Sequence, residues 1–410
     1  MKTRTTELEA NWKKRFRISE VLFTVIASER PERGLAVSNK SGVMQLYAWD
    51  VLSGEMRQFT DYPTGKMFGN ISPDGSYIYY LKDEGGNEIG HLVRVPFEGG
   101  DEEDISPKLP PYATFINSTS RTGNRLVFTA AGHEGFKLYA IDLGPKGELT
   151  PARLLYHSKL ILQTLPISYG GELAATNSIE LSGVLQTNLL VVDCEKGEKV
   201  AELWDGEGTS LSTVSFSPVK NDLCLLATTN KSGYSRPLIW NPITGERIDI
   251  ALDELVGDVT PSDWAPDGKS ILLSHFHEAT RQFYIYDLDE EKLHKLDHPS
   301  GSFTSFSGLG TYFVPGGEIY THWQDSTHPS QLIALDSKTG KQTRVVIPSE
   351  EVPVSQPWRS VTFPSSDGTR IQAWLATPHG VGPFPTILHT HGGPTSVLTE
   401  SFDASAQAWL

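Results

Sequence analysis

The amino-acid sequence predicts an all-β seven-bladed β-propeller over residues 20–345 and the start of a second, α/β unit after it. Three observations lead to this prediction. A short strand-and-turn phrase recurs along the chain at a nearly constant interval. The 37 glycines and 26 prolines among 410 residues favour many short elements joined by turns, as in all-β proteins. Beyond residue 345 the repeat stops and another pattern begins.

The repeated phrase consists of an apolar strand, a residue that ends it, and a tight turn with glycine or charged residues. Its seven end positions are Asp50, Pro96, Asp142, Asp193, Asn241, Asp287 and Asp336. Neighbouring end positions are 46 to 51 residues apart, which is the length of one four-stranded propeller blade. An open β-sandwich, the alternative, does not require a constant interval over so long a stretch. The interval therefore favours a ring of seven blades.

A second signal precedes several of these strands. Pro-Asp-Gly turns at 73–75 and 266–268 lead into apolar strands, and a Ser-Pro pair at 217–218 takes their place in the fifth unit. In such turns proline presets φ, aspartate hydrogen-bonds its own backbone, and glycine supplies a positive φ. The third and fourth units lack a clean Pro-Asp-Gly turn, so the sequence defines their boundaries less sharply.

The chain is acidic, with 50 aspartates and glutamates against 35 lysines and arginines and a formal charge of −15. This balance argues against nucleic acid or an anionic membrane as the main partner, because either would require clustered positive charge. A short basic cluster at 13–17 is interpreted as the solvated face of an N-terminal helical segment over residues 1–19.

Three further features predict a cytoplasmic protein. No stretch approaches the roughly 18–20 apolar residues that span a bilayer. The N-terminal residues carry charges of both signs and lack the apolar core of a secretory signal. Two cysteines, Cys194 and Cys224, are too few for a disulfide framework in a chain of this length.

The segment after the seventh unit lacks the repeated phrase. Residues 346–357 are rich in proline and are expected to form a linker. Two strands flank an Asp-Gly turn at 367–368, and a buried strand is expected over 384–390. Residues 399–410 carry apolar side chains at helical spacing and are expected to form a helix with Thr399 as its N-cap.

The most chemically suggestive motif is His391-Gly392-Gly393-Pro394, between the expected strand and helix. Two glycines let the backbone approach a ligand closely and direct N–H groups toward it. In acyl transfer such donors stabilise the oxyanion of the tetrahedral intermediate. A tight strand-to-helix turn is the alternative interpretation of the motif.

A seven-unit propeller followed by Phe-Pro-Ser-Ser-Asp-Gly-Thr-Arg-Ile-Gln-Ala-Trp-Leu at 363–375 and by His391 to Pro394 resembles the prolyl oligopeptidase family of serine peptidases. The chain is most similar to the acylaminoacyl-peptidase and dipeptidyl-peptidase V-like branch. The resemblance implies that residues 358–410 are the N-terminal portion of an α/β-hydrolase domain. It also implies a Ser-Asp-His triad, a propeller that gates substrates by size, short or N-blocked peptides as substrates, and no cofactor.

The triad that the resemblance implies has no counterpart in this sequence. The nucleophile of such a domain lies in a Gly-x-Ser-x-Gly elbow, and the chain contains no match to this pattern. The triad is therefore expected beyond Leu410, and the chain, interpreted as C-terminally truncated, is expected to be inactive alone. One part of the family's active site has a counterpart in this sequence: His391 to Pro394 correspond to the loop on the oxyanion side.

Two other functions stay open: a propeller that serves as a binding or scaffold module after losing its enzyme, and an esterase of the same hydrolase fold. The pairs His275/His277 and His389/His391 have the spacing of metal ligands on one face of a strand. Neither has a third ligand nearby in sequence, so no metal site is predicted. A short peptide is the expected partner.

Overall fold

The computed structural model describes residues 10–114, 116–304, 310–393 and 396–410. Seven antiparallel sheets of four or five strands follow one another along these residues, and each is built from strands that are consecutive in the chain. We call them blades 1 to 7 in chain order. A short helix, α1 (Asn11–Arg15), precedes blade 1.

The first four blades each contain four strands. Blade 1 comprises β1 (Val21–Ala27), β2 (Arg30–Ser38), β3 (Gln45–Asp50) and β4 (Met56–Gln58); blade 2 comprises β5 (Asn70–Ile71), β6 (Tyr77–Asp83), β7 (Gly90–Pro96) and β8 (Glu103–Asp104). Blade 3 comprises β9 (Asn117–Thr119), β10 (Arg125–Gly132), β11 (Gly135–Asp142) and β12 (Arg153–Ser158); blade 4 comprises β13 (Leu162–Gln163), β14 (Leu173–Ser178), β15 (Asn188–Asp193) and β16 (Lys199–Leu203).

The last three blades complete the series. Blade 5 comprises β17 (Leu211–Phe216), β18 (Leu225–Thr229), β19 (Arg236–Trp240) and β20 (Arg247–Asp249); blade 6 comprises β21 (Asp258–Trp264), β22 (Ser270–His277), β23 (Thr280–Asp287) and β24 (Lys292–Lys295). Blade 7 comprises β25 (Ser302–Thr304), β26 (Thr311–Val314), β27 (Glu318–Gln324), β28 (Gln331–Asp336) and β29 (Gln342–Ile347); β25 and β26 both pair with β27.

Buried apolar side chains hold neighbouring blades together. One hydrophobic cluster fills each of the seven blade-to-blade contacts, including the contact between blade 7 and blade 1. That last cluster, which we call the closing seam, contains Trp49, Tyr320 and Leu332. Because each blade is built from consecutive strands, the ring closes there by side-chain packing rather than by a shared sheet. The predicted seven-bladed propeller is confirmed.

The first strand of each blade lies nearest the centre of the ring. β1 contacts β5 and β17 contacts β21, so first strands of neighbouring blades meet, and β21 also contacts β26 of blade 7. Fourth strands such as β4 and β20 are largely exposed on the outer rim. The first strands therefore line the central channel.

The repeated end residue of the sequence phrase ends the third strand of its blade. In blade 1, Asp50 Oδ1 accepts hydrogen bonds from the backbone N–H groups of Leu52 (3.1 Å) and Ser53 (2.8 Å). Gly54, at φ +77°, returns its N–H to the carbonyl oxygen of Asp50. The acid closes the turn and the glycine adopts the left-handed conformation that the turn needs, so the phrase recurs where this turn recurs.

A hairpin of β30 (Arg359–Pro364) and β31 (Arg370–Leu375) follows the propeller, and a helix, α2 (Ala404–Trp409), lies near the end of the chain. The basic cluster at 13–17 overlaps α1, and residues 1–9 of the expected helical segment lie outside the described residues. Neither helix has the length and apolar character required to cross a membrane.

The strand expected over 384–390 is wrong. These residues pair with no strand in the described part of the chain. Ile387 and Leu388 are 59% and 84% exposed. A strand forms where its N–H and C=O groups find a neighbouring strand, and apolar composition alone does not supply one.

The expected start of the C-terminal helix is also wrong. The N-cap is Asp403, not Thr399, because the Asp403 carboxylate accepts hydrogen bonds from the N–H groups of Ser405 (2.7 Å) and Ala406 (3.0 Å). Aspartate is among the strongest N-cap residues, and these contacts satisfy N–H groups that the first helical turn leaves unpaired.

Candidate functional site

The predicted oxyanion-side loop lies on the surface of the described chain. His391, Gly392 and Gly393 are exposed, and Pro394 lies outside the described residues. His391 Nδ1 is 2.6 Å from the carbonyl oxygen of its neighbour Gly392. An oxyanion hole requires donors held in place before the reaction. The loop offers two glycine N–H groups but no preceding strand to hold them.

The C-terminal segment docks on a loop of blade 7 through Ser326, which is 1% exposed. Gln407 of α2 is also buried, and its Nε2 donates to the carbonyl oxygens of Ser326 (2.7 Å) and Gln356 (2.8 Å). The N–H of Gln356 donates back to Gln407 Oε1 at 2.8 Å. One amide side chain thus joins helix, linker and propeller with all three of these bonds satisfied.

Ser326 extends this contact with its hydroxyl. Its Oγ donates to Glu400 Oε1 (2.9 Å) and accepts from the N–H of Trp358 (2.9 Å). At the other end of the chain, Arg15 of α1 donates to the carbonyl oxygen of Val354 at 2.7 Å. α1 also contacts α2, so the beginning and the end of the described chain meet. The C-terminal segment is held on blade 7 by specific polar contacts.

A polar cleft of about 250 Å³ separates the β30–β31 hairpin from blade 6. Its charged groups are Glu278, at the β22–β23 turn, and Arg370 of the hairpin, with Nη2 and Oε1 3.9 Å apart. Hydroxyl and amide groups complete the lining, from Thr280, Ser360, Thr362 and Gln372. The cleft opens between the two units and offers hydrogen-bonding groups of the kind that a peptide backbone uses.

A buried polar group crosses the closing seam. His322 of β27 is fully buried, and its Nε2 lies 3.2 Å from Thr24 Oγ1 in blade 1. The same hydroxyl lies 3.1 Å from Tyr312 OH. His322 Nδ1 has no hydrogen-bond partner in the described chain. Burial lowers the pKa of His322 to about 4, because the imidazolium loses its hydration there.

Asp263, on the innermost strand of blade 6, joins that blade to blade 7. Its Oδ2 accepts from the N–H of Phe313 at 2.8 Å, and its Oδ1 accepts from the N–H of Trp264 at 2.8 Å. Burial raises the pKa of Asp263 to about 6, although these two donors lower it. The sequence carried no signal for this role, because the contact depends on how blades 6 and 7 meet.

The histidine pairs considered as metal ligands take part in ordinary contacts. His275 and His277 stack with ring centroids 6.1 Å apart, and His275 Nε2 lies 2.8 Å from the carbonyl oxygen of Val256. His389 is exposed, like His391. No group of three or more His, Cys, Asp or Glu side chains with metal-binding geometry occurs in the described part of the chain.

Both cysteines are free thiols, Cys194 buried and Cys224 half-buried. Burial raises the pKa of each thiol to about 12. Because the thiolate is the reactive form, we expect alkylation by iodoacetamide at pH 8 to be at least about 100-fold slower in the folded chain than in urea. Mass spectrometry of each cysteine peptide over time measures this. Equal rates in the folded and unfolded chain would contradict the packing described here.

Comparison with known proteins places the fold. No family model and no curated protein matches the sequence. A solved prolyl endopeptidase matches with a TM-score of 0.74 at 15% identity, over 98% of this chain and 61% of its own. A puromycin hydrolase complexed with PGG gives 0.74 at 15% identity, over 99% and 67%. A puromycin-hydrolyzing peptidase of Mycobacterium tuberculosis gives 0.69 at 15% identity, over 95% and 64%.

The chain thus spans 61% to 67% of the length of these three solved proteins. At 15% identity the likeness concerns the fold. The chain has the seven-bladed β-propeller fold that is also found in prolyl endopeptidases and puromycin hydrolases.

Proposed function

We propose that this chain is the propeller and the beginning of the catalytic domain of a serine peptidase that hydrolyses short or N-blocked peptides. One observation carries the proposal. The structural likeness to peptidases covers 95% to 99% of the chain, so it includes the segment after the propeller. A propeller that resembled these proteins by its blades alone would align up to about residue 347. Of the known branches, we favour the acylaminoacyl-peptidase and dipeptidyl-peptidase V-like one, on the motifs at 363–375 and 391–394.

In this proposal the propeller and the catalytic domain have different roles. The propeller excludes folded proteins, and its cleft beside the β30–β31 hairpin admits a peptide. A serine outside this chain attacks the scissile carbonyl, a histidine takes its proton, and N–H groups at Gly392 and Gly393 lie on the oxyanion side. We place the Ser-Asp-His triad in the counterpart of the part of the solved proteins, 33% to 39% of their length, that this chain does not cover. The proposed enzyme is cytoplasmic and needs no cofactor, and its acidic charge argues against nucleic acid and anionic membranes as partners.

A fluorophosphonate probe tests the proposal. We expect no stoichiometric labelling of any serine in the 410-residue chain, because it has no Gly-x-Ser-x-Gly elbow. A longer chain that carries such an elbow after residue 410 should label at one serine and cleave short peptides but not folded proteins. Labelling of the 410-residue chain at one serine, or a labelled longer chain without peptidase activity, would contradict it. The latter outcome would favour the esterase alternative.

A further inference from the structure

Arg281, at the start of β23, has a guanidinium group with no counter-ion among the described residues. Its Nη1 donates to Ser274 Oγ, and the group lies 5.4 Å from the ring centre of Phe276. No carboxylate lies within ion-pair distance of it in the described chain. Three other arginines with largely buried side chains have such partners: Arg94 with Glu103 (2.7 Å), Arg125 with Asp142 (2.5 Å) and Arg247 with Asp205 (2.5 Å).

The Arg281 side chain lines a cavity between blades 6 and 7. The cavity measures about 60 Å³, several times the roughly 10–15 Å³ that holds one water molecule. Phe283 and Phe303 supply apolar walls. Three residues that carry hydroxyl groups, Thr260, Ser262 and Thr311, also line it.

These hydroxyls are available to a ligand. The side chains of Thr260 and Ser262 make no hydrogen bond to any described residue, and Thr311 Oγ1 shares one with Thr321 Oγ1 at 2.8 Å. The planar guanidinium group of Arg281 and these hydroxyl groups surround one small space. Such a set of hydrogen-bond donors complements an oxyanion.

The energetics point the same way. Burial lowers the pKa of Arg281, and no acidic group in the described part of the chain offsets the loss of hydration. A partly buried charge without a charged partner carries a desolvation cost, and a bound anion would offset that cost through charge-assisted hydrogen bonds. We propose that this cavity is a binding site for one small oxyanion, a carboxylate or a phosphate, held by Arg281 and the hydroxyls of Thr260 and Ser262.

Calorimetric titration of the 410-residue chain tests this proposal independently of any peptidase activity. Sodium phosphate, sodium acetate and glycylglycine are the probes, with glycylglycine amide and sodium chloride of matched ionic strength as references. We expect saturable binding of at least one oxyanion probe. Preference for glycylglycine over its amide would identify a peptide carboxylate as the source, and preference for phosphate a free anion.

Two variants and a control decide whether Arg281 holds the ligand. Arg281→Met and Arg281→Lys should each weaken binding at least about tenfold. The first variant removes the charge, and the second keeps the charge but removes the planar guanidinium group. Arg30→Met, at an exposed arginine, should bind like the wild type. Without anion, Arg281→Met should melt at or above the wild-type temperature, since it removes an unpaired charge. Absence of binding, equal binding by Arg281→Met, or a lower melting temperature of that variant in anion-free buffer would overturn the proposal.

Discussion

Replacing Trp49 by alanine is expected to lower the free energy of unfolding by about 3–5 kcal/mol, the usual cost of deleting a large buried aromatic side chain. Trp49 is fully buried in the closing seam, with its ring centroid 6.4 Å from that of Tyr320 in blade 7. Side chains alone join the two blades there, so a cavity at this point weakens the contact that keeps the ring closed. Urea unfolding followed by far-ultraviolet circular dichroism measures the change.

The matched control is Trp204→Ala, at a tryptophan that is 37% exposed and lies outside the closing seam. We expect this variant to lose less than half as much stability, because water already covers part of the ring. Limited proteolysis should show Trp49→Ala cleaved first in blades 1 or 7. A loss in Trp49→Ala no larger than in Trp204→Ala would show that the closing seam does not limit stability.

Gly34 gives an independent measure of the same packing. A Cβ at Gly34 would lie 2.5 Å from Trp49 Cε3 and 3.0 Å from the carbonyl oxygen of Val25. Gly34→Ala should therefore destabilise the chain on its own. In the Trp49→Ala background its cost should fall, because the closer of the two clashes is gone, and a double-mutant cycle would show this coupling.

The propeller could be predicted from the sequence because its signal is local and repeated. An aspartate such as Asp50 closes a turn within four residues of itself. Seven such phrases at a nearly constant interval predict a ring of seven blades. The contacts of the candidate sites carry no such signal. His322 and Thr24 are 298 residues apart in the chain, and Asp263 and Phe313 are 50 apart. Their meeting depends on ring closure and on how neighbouring blades face each other.

The C-terminal segment shows where reasoning from local pattern fails. Apolar residues at 384–390 predicted a strand, but strand formation depends on a neighbour that local sequence does not reveal. The helix prediction found the right element, but Asp403, four residues after Thr399, is the stronger cap. Gln407 lay within the predicted helix without standing out, although it makes three hydrogen bonds that tie the segment to Ser326 and Gln356.

The second large effect concerns acid stability at the closing seam. The pKa of His322 is about 4 in the folded chain against 6.5 for an ordinary histidine. Below pH 6.5 the unfolded chain therefore takes up a proton that the folded chain refuses until pH 4, so folding stability falls as the pH falls through this window. A difference of this size corresponds to about 3 kcal/mol. Protonation would place a second N–H at Nδ1, which has no acceptor in the described chain.

Asp263 acts in the opposite direction over nearly the same range. Its pKa is about 6 in the folded chain against 3.8 for an ordinary aspartate, so the folded chain binds this proton first as the pH falls. Folding stability therefore rises between pH 6 and pH 3.8, again by about 3 kcal/mol. In the wild type the two effects largely cancel. Removing either group should make the pH effect of the other measurable. The stabilities of the two variants should then change with pH in opposite directions.

Urea unfolding at pH 7, 6, 5 and 4 tests this balance. As the pH falls from 6.5 to 4, the stability of His322→Gln should rise relative to that of the wild type. Below pH 6, the stability of Asp263→Asn should fall relative to that of the wild type. Both changes are counted from the stability of each variant at pH 7. His389→Gln, at an exposed histidine, should follow the wild-type curve. A His322→Gln curve parallel to that of the wild type would mean that His322 is protonated in the folded chain as readily as in the unfolded one. The closing seam would then admit water, and the ring would be looser at blades 1 and 7 than its packing implies.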